Sequence, residues 1–216
     1  MDFSILTDNF GLYLEGFKNT IIASVIALVS SFFLGVIVAV MRISPVKVLN
    51  WLGTGYVEFF RNIPVLIITF FFYFGLASIG IELDGLKAGT TALSIYTSAF
   101  IAEAIRAGIM SVPKGQMEAA RSSGLSYNQS MRLIILPQAI KIVIPSLGNQ
   151  FINLVKNSSI LGVVAGLDLM YQADLISARA FVTFDVYLFV AMFYLVLTIP
   201  LSLGVHYLEK RLARSH

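Results

Sequence analysis

The chain has 216 residues, 57% of them hydrophobic and only 12% charged, with a formal net charge of +3 and a mean hydropathy of +0.84. Soluble domains carry about 25% charged residues, so this composition excludes a disordered chain and leaves too little polar side chain to cover a soluble enzyme. The absence of cysteine removes disulfides, thiolate catalysis and cysteine-ligated metals. What remains is one bundle of membrane helices over residues 1–216.

In chain order, residues 1–17 read as a short amphipathic helix in the membrane interface, with Phe3, Leu6, Phe10, Tyr13 and Leu14 on its apolar side. Asp2, Asp8 and Glu15 make this segment acidic, unlike the basic leader of a signal peptide. Uncharged runs then mark the spans. Asn19 to Met41 and Val186 to Leu208 hold 23 residues each, and Asn62 to Ile81 holds 20. Each is long enough for a hydrocarbon core of about 30 Å, which takes about 20 residues. Two further spans carry a charge: Ala88 to Ala102, ended by Glu103, and Ile142 to Leu167, interrupted by Lys156. The expectation is an all-α membrane protein of five transmembrane helices, kinked at Pro64 and Pro145. No internal repeat, low-complexity linker or second domain is visible.

The loops divide the charges. One side collects the basic residues Lys18, Lys87 and Arg179 with eight acidic ones; the other collects Arg42, Lys47, Arg106, Lys114, Arg121, Arg132, Lys141, Lys210, Arg211 and Arg214 with only Glu118 and Glu209. Basic residues stay on the cytoplasmic side, which predicts a multi-pass protein of the cell membrane with its N-terminus outside and its C-terminus in the cytoplasm. Glu58, Arg61, Glu103 and Lys156 are left at membrane depth, where charges are costly and mark pathways.

The longest cytoplasmic loop, about residues 111–137, reads as a helix over Glu118–Ser123 stopped at Gly124, then a second short helix N-capped by Ser126. Its small residues would let another protein approach the backbone closely. Glu118-Ala119-Ala120, Gly124, Ile134 and Leu136-Pro137 fill the Glu-Ala-Ala, x3, Gly, x9, Ile, x, Leu-Pro signature of permease subunits of bacterial ABC importers. The flanks Ala102-Glu103, Arg106-Ala107-Gly108, Val112-Pro113-Lys114-Gly115-Gln116 and Phe59-Phe60-Arg61-Asn62-Ile63-Pro64 resemble the polar amino acid uptake branch, although that branch often has glycine where Ala107 stands.

The resemblance implies a type I permease fold and a coupling helix, with Gly115, Glu118, Ala119, Ala120 and Gly124 docking on a cytoplasmic ATP-binding subunit. It also implies a second permease chain, the same or homologous, an external substrate-binding protein and an amino acid substrate, with no nucleic acid. The chain has no G-x-x-x-x-G-K-[ST] loop, so ATP and Mg belong on the partner subunit and this chain is a transport subunit, not an enzyme. Switching a pathway from 1:99 to 99:1 takes about 5.5 kcal/mol of differential binding, a sum that nucleotide binding can deliver through a docked helix.

For the substrate, an amino acid brings one ammonium and one carboxylate. Glu58 and Glu103 are candidates for its positive groups, and Asn153, Asn157 and Ser158 for its carboxylate, with Asn153, Lys156 and Asn157 on one helical face. Thr69 completes the candidate substrate-binding set; no catalytic or metal residue is expected. The two glutamates and the acidic outer loops lean the expectation to a basic amino acid such as arginine, lysine or histidine, with glutamine-type substrates close behind. Glu103 paired with Arg106 or Lys156, and Glu58 with Arg61, is the purely structural alternative. An ion-coupled secondary transporter or channel for small polar solutes is the alternative function. A membrane-embedded enzyme is disfavoured because only His206 and His216 are available.

Overall fold

The computed structural model describes residues 2–213. Arg214 and His216, both used above, lie outside the described residues. Among the described residues ten α-helices follow one another: α1 Phe3–Asp8, α2 Phe10–Ile43, α3 Lys47–Asn62, α4 Val65–Phe70, α5 Gly85–Met110, α6 Lys114–Ser122, α7 Tyr127–Ser130, α8 Leu136–Asn157, α9 Leu169–Ala180 and α10 Phe184–Ala213. Single π-helical stretches extend α4 (Phe71–Gly75) and join α7 to α8 (Met131–Ile135), and a 3-10 stretch, Ser158–Val164, extends α8. No strand occurs among the described residues.

Four spans are unbroken, within Phe10–Ile43, Gly85–Met110, Tyr127–Val164 and Phe184–Leu212; the fifth is a broken pair, Lys47–Asn62 with Val65–Gly75, bent by 104°. The span expected over Asn62–Ile81 does bend at Pro64, but it begins earlier, with α3, and the bend is a break rather than a kink. Pro64 caps α4, and because proline disfavours helical backbone at the residue before it, Ile63 is extended and the chain turns there. Pro145 lies inside α8 without ending it. The separate interfacial helix over residues 1–17 is also corrected. Only α1 stands apart, and α2 starts at Phe10, so Tyr13 is fully buried against Phe189 and Phe193. Its 34 residues make a rod of about 51 Å, longer than the hydrocarbon core.

Small residues set the packing. Gly16, Thr20, Ala23, Ala27, Ser31 and Gly35 are buried on α2, and Ala92, Ser98, Ala99 and Ala102 on α5. Lipid tails are as apolar as leucine, so membrane helices associate by close backbone approach rather than by apolar burial. A Cβ on Gly35 would lie 2.6 Å from a methyl of Ile101. The α2–α5 pair is the spine against which α3, α8 and α9 pack.

Candidate functional site

A polar pocket of about 370 Å³ opens between α5 and α8. Tyr96, Thr97 and Phe100 come from α5; Gln150, Asn153, Lys156 and Asn157 come from α8. Gln150, Asn153 and Asn157 recur at i, i+3 and i+7, one face of a helix. The pocket thus offers three amides, two hydroxyls (Tyr96 and Thr97) and one ammonium beside two aromatic rings. Behind it, the Arg61 guanidinium lies 5.4 Å from the centre of the Phe100 ring, a cation–π distance.

Of the six substrate-binding candidates, the fold brings Asn153 and Asn157 together here and places the other four elsewhere. Thr69 is fully buried and donates to the Val65 carbonyl at 2.9 Å. Ser158 is fully buried and donates to the Val155 carbonyl at 2.8 Å. Both hydroxyls are spent on their own helices. Glu58 and Glu103 belong to an ion-pair lattice. Arg42, at the end of α2, bonds Glu103 through one guanidinium nitrogen and Glu58 through the other, the latter at 3.1 Å. Arg106 closes a two-point contact on Glu103 at 2.7 and 3.0 Å. The Glu103–Arg106 pair of the purely structural alternative is thus present, whereas no ion pair joins Glu103 to Lys156 or Glu58 to Arg61 among the described residues. Tyr96, Phe100 and Gln150 escaped the sequence reading; the i, i+4 aromatics and the i, i+3 amides were signals, but nothing local says that these two faces meet.

The signature loop folds as expected from its capping residues, with α6 starting four residues earlier, at Lys114. Gly124 has φ +87°. Its N–H donates to the Arg121 carbonyl and the Leu125 N–H to the Ala120 carbonyl, the paired bonds of a left-handed helix stop. Ser126 and Gln129 then form a reciprocal capping box at α7. Gly115, Glu118, Ala119 and Gly124 are exposed, and a Cβ at Gly115 or Gly124 would meet nothing within 4 Å. Ala120 is 6% exposed, so it packs against its own chain rather than presenting its side chain outward.

At the opposite end, the 3-10 stretch turns sharply into α9. Ala165 and Leu167 have φ of 54° and 56°, and α2 latches the turn: Asn19 Nδ2 donates to the Leu167 carbonyl at 2.8 Å, and the Leu169 N–H donates to Thr20 Oγ1. Asp168 caps α9 by accepting from the Met170 and Tyr171 amides. Burial pushes its carboxyl up from 3.8 to about 6, against the pull of those amides. The folded protein therefore holds this proton more tightly than the unfolded chain. The stabilisation is full below about pH 4 and lost as pH rises through 6. Between pH 4 and 7, the melting temperature of the detergent-solubilised protein is expected to fall as pH rises. Asp168→Asn, which keeps a capping side chain, is expected to flatten that slope. An unchanged slope in the variant would refute the assignment.

Residues 31–214 match the family described as binding-protein-dependent transport system inner membrane component, and the chain belongs to it. It is thus a membrane permease of the class that serves ABC transporters of amino acids, a family assignment that favours an importer subunit over an ion-coupled transporter. The probable glutamine ABC transporter permease protein GlnM of Bacillus subtilis is 74% identical over 216 residues, all of both chains. GlnP of the same organism, also described as a probable glutamine permease, is 42% identical over 200 residues, 91% of this chain and 92% of that one. A crystal structure of an amino acid ABC transporter with histidines contains a chain that superposes with a TM-score of 0.93 at 36% identity, covering 98% of this chain and 99% of that one.

Proposed function

We propose that this chain forms one half of the membrane pathway of an ATP-driven importer for uncharged polar amino acids of the glutamine type. The observation that carries the proposal is the composition of the α5–α8 pocket: three amides, one ammonium and no carboxylate. Lys156 offers a charge partner for a substrate carboxylate, and Gln150, Asn153 and Asn157 match an amide side chain. A basic amino acid receives no support. Both glutamates that suggested it are engaged by Arg42 and Arg106, leaving no free acid in the pocket for a second positive charge. The 74% identity to a probable glutamine permease points the same way.

The remaining parts of the machine follow from the family. The exposed face of α6 docks on a cytoplasmic ATP-binding subunit, which carries ATP and Mg. A second permease chain completes the pathway, and an external binding protein delivers the amino acid. The basic end of the bundle, with Arg42, Arg106 and the α6–α7 elbow, is cytoplasmic; the end with Asp84, Asp168 and the N-terminus faces outward.

The test is uptake of labelled glutamine and arginine by proteoliposomes containing the whole importer. Glutamine is expected to accumulate with ATP, and arginine is not. Lys156→Ala is expected to cut glutamine uptake at least tenfold, the scale of one lost charge-assisted hydrogen bond of about 1.5–3 kcal/mol. Glu118→Ala or Gly124→Val is expected to leave ATP hydrolysis running without uptake or to release the ATP-binding subunit. Full uptake in the Lys156 variant removes the pocket assignment; full uptake in both loop variants removes the docking role.

A further inference from the structure

A second groove, of about 670 Å³, runs along the bundle between α2, α5 and the α7–α8 segment. Its walls include Val36 and Val40 of α2, Ile105 and Ile109 of α5, and α8 from Leu136 to Leu147; every lining side chain is apolar. On α5 its residues sit about 140–180° around the axis from Phe100 of the polar pocket, so the two do not share a face. Val40 and Ile140 are each more than half exposed, so the groove opens sideways from the spans.

We propose that this groove seats one acyl chain of an anionic phospholipid from the leaflet at the basic end of the bundle. Length selects the occupant. From Leu136 to Leu147 the helix rises about 16 Å, close to half of a hydrocarbon core of about 30 Å, which is the depth of one leaflet. Chemistry selects it too. A fully apolar wall at membrane depth leaves any buried hydrogen-bonding group unpaired, whereas a tail restores the dispersion contacts that an unfilled groove forfeits. Charge selects the headgroup. Arg132 follows the lining residue Met131, and Lys141 follows the lining residue Ile140. Neither side chain has a hydrogen bond or ion pair to another described residue. The only acids near this end besides Glu118 and Glu209 are Glu58 and Glu103, which are held by arginines. Two cations without ion-pair partners, each one position along the chain from a lining residue, fit a phosphate diester with its tail in the slot.

The experiment uses the whole importer reconstituted in vesicles of equal phosphatidylglycerol and phosphatidylethanolamine, re-extracted in mild detergent and weighed by native mass spectrometry. The expected result is retained phosphatidylglycerol over phosphatidylethanolamine, by about fivefold for each basic residue. Arg132→Gln with Lys141→Gln is expected to bring the ratio to that of the vesicles, and Val40→Trp, which fills the slot from an exposed position, to lower the total retained. Retained lipid in the vesicle ratio, unmoved by these variants, overturns the proposal. A benzophenone attached through Ile140→Cys, the sole thiol of the variant chain, reports the occupant directly. A phospholipid adduct supports the proposal, and an adduct to a second permease chain overturns it by giving the groove to a protein interface.

Discussion

Gly85→Ala is expected to lower the melting temperature of the detergent-solubilised protein by about 6–12 °C, the shift that about 3 kcal/mol produces in a chain of this size. Gly85 opens α5 directly beneath the turn that follows the 3-10 stretch. A Cβ there would lie 1.8 Å from the Val164 carbonyl oxygen and 2.7 Å from the Ala165 carbonyl carbon. Both are backbone atoms, so no rotamer change relieves the overlap. The turn cannot yield easily. Ala165 and Leu167 already occupy left-handed backbone, at about 1–2 kcal/mol each. The Gly166 amide is tied to the Leu161 carbonyl, and Asn19 holds the Leu167 carbonyl from α2. Overpacking costs about 1–3 kcal/mol where neighbours can move, and this site falls at the upper end. Gly204→Ala, whose Cβ would meet nothing within 4 Å, is the matched control. A Gly85→Ala protein that melts with the wild type would disprove the close approach of α5 to this turn.

Glu103→Gln is expected to destabilise the bundle by about 2 kcal/mol, between the roughly 0–1 kcal/mol of an exposed pair and the 3–5 kcal/mol of a buried one broken on one side. The intermediate value follows from exposure: the Glu103 side chain is 21% exposed and that of Arg42 11%. The substitution removes the only ion pair of Arg106 among the described residues and leaves Arg42 with Glu58 alone. The lattice ties α2, α3 and α5 together next to the α6–α7 elbow, so a loss of ATP-coupled uptake is expected alongside the lower stability. The decisive measurement is a double-mutant cycle with Arg42→Gln, in which the combined loss is expected to be smaller than the sum. Strictly additive losses would show that the two side chains do not interact.

Local features were readable in advance because they depend on neighbours within one or two helical turns. The stop at Gly124 and the cap at Ser126 were both placed from residue type alone, since a left-handed backbone position and an orphaned amide each select their residue. Four of the five spans were located by length and apolarity, with ends displaced by several residues where α5 runs on past Glu103 and α8 is reached without a break from Tyr127. The family signature was legible for the same reason: it is a run of adjacent residues. The broken second span was partly legible, since Pro64 marked its bend but not the 104° turn or the helix before it.

Composition and order along the chain were thus sufficient for the class of protein, the number of crossings, the two-sided division of charge and the helix–glycine–helix form of the α6–α7 elbow. They were insufficient for every feature that depends on which helix face meets which. Glu58 and Glu103 looked like pathway acids until α2 brought Arg42 to them from 16 and 61 positions away. Tyr96 and Gln150 looked like ordinary span residues until α5 and α8 packed to enclose a pocket. In a span that is apolar nearly all round, periodicity does not distinguish a lipid-facing side from a buried one. That choice is made by close contacts between small residues of distant segments, and it sets where each polar side chain points.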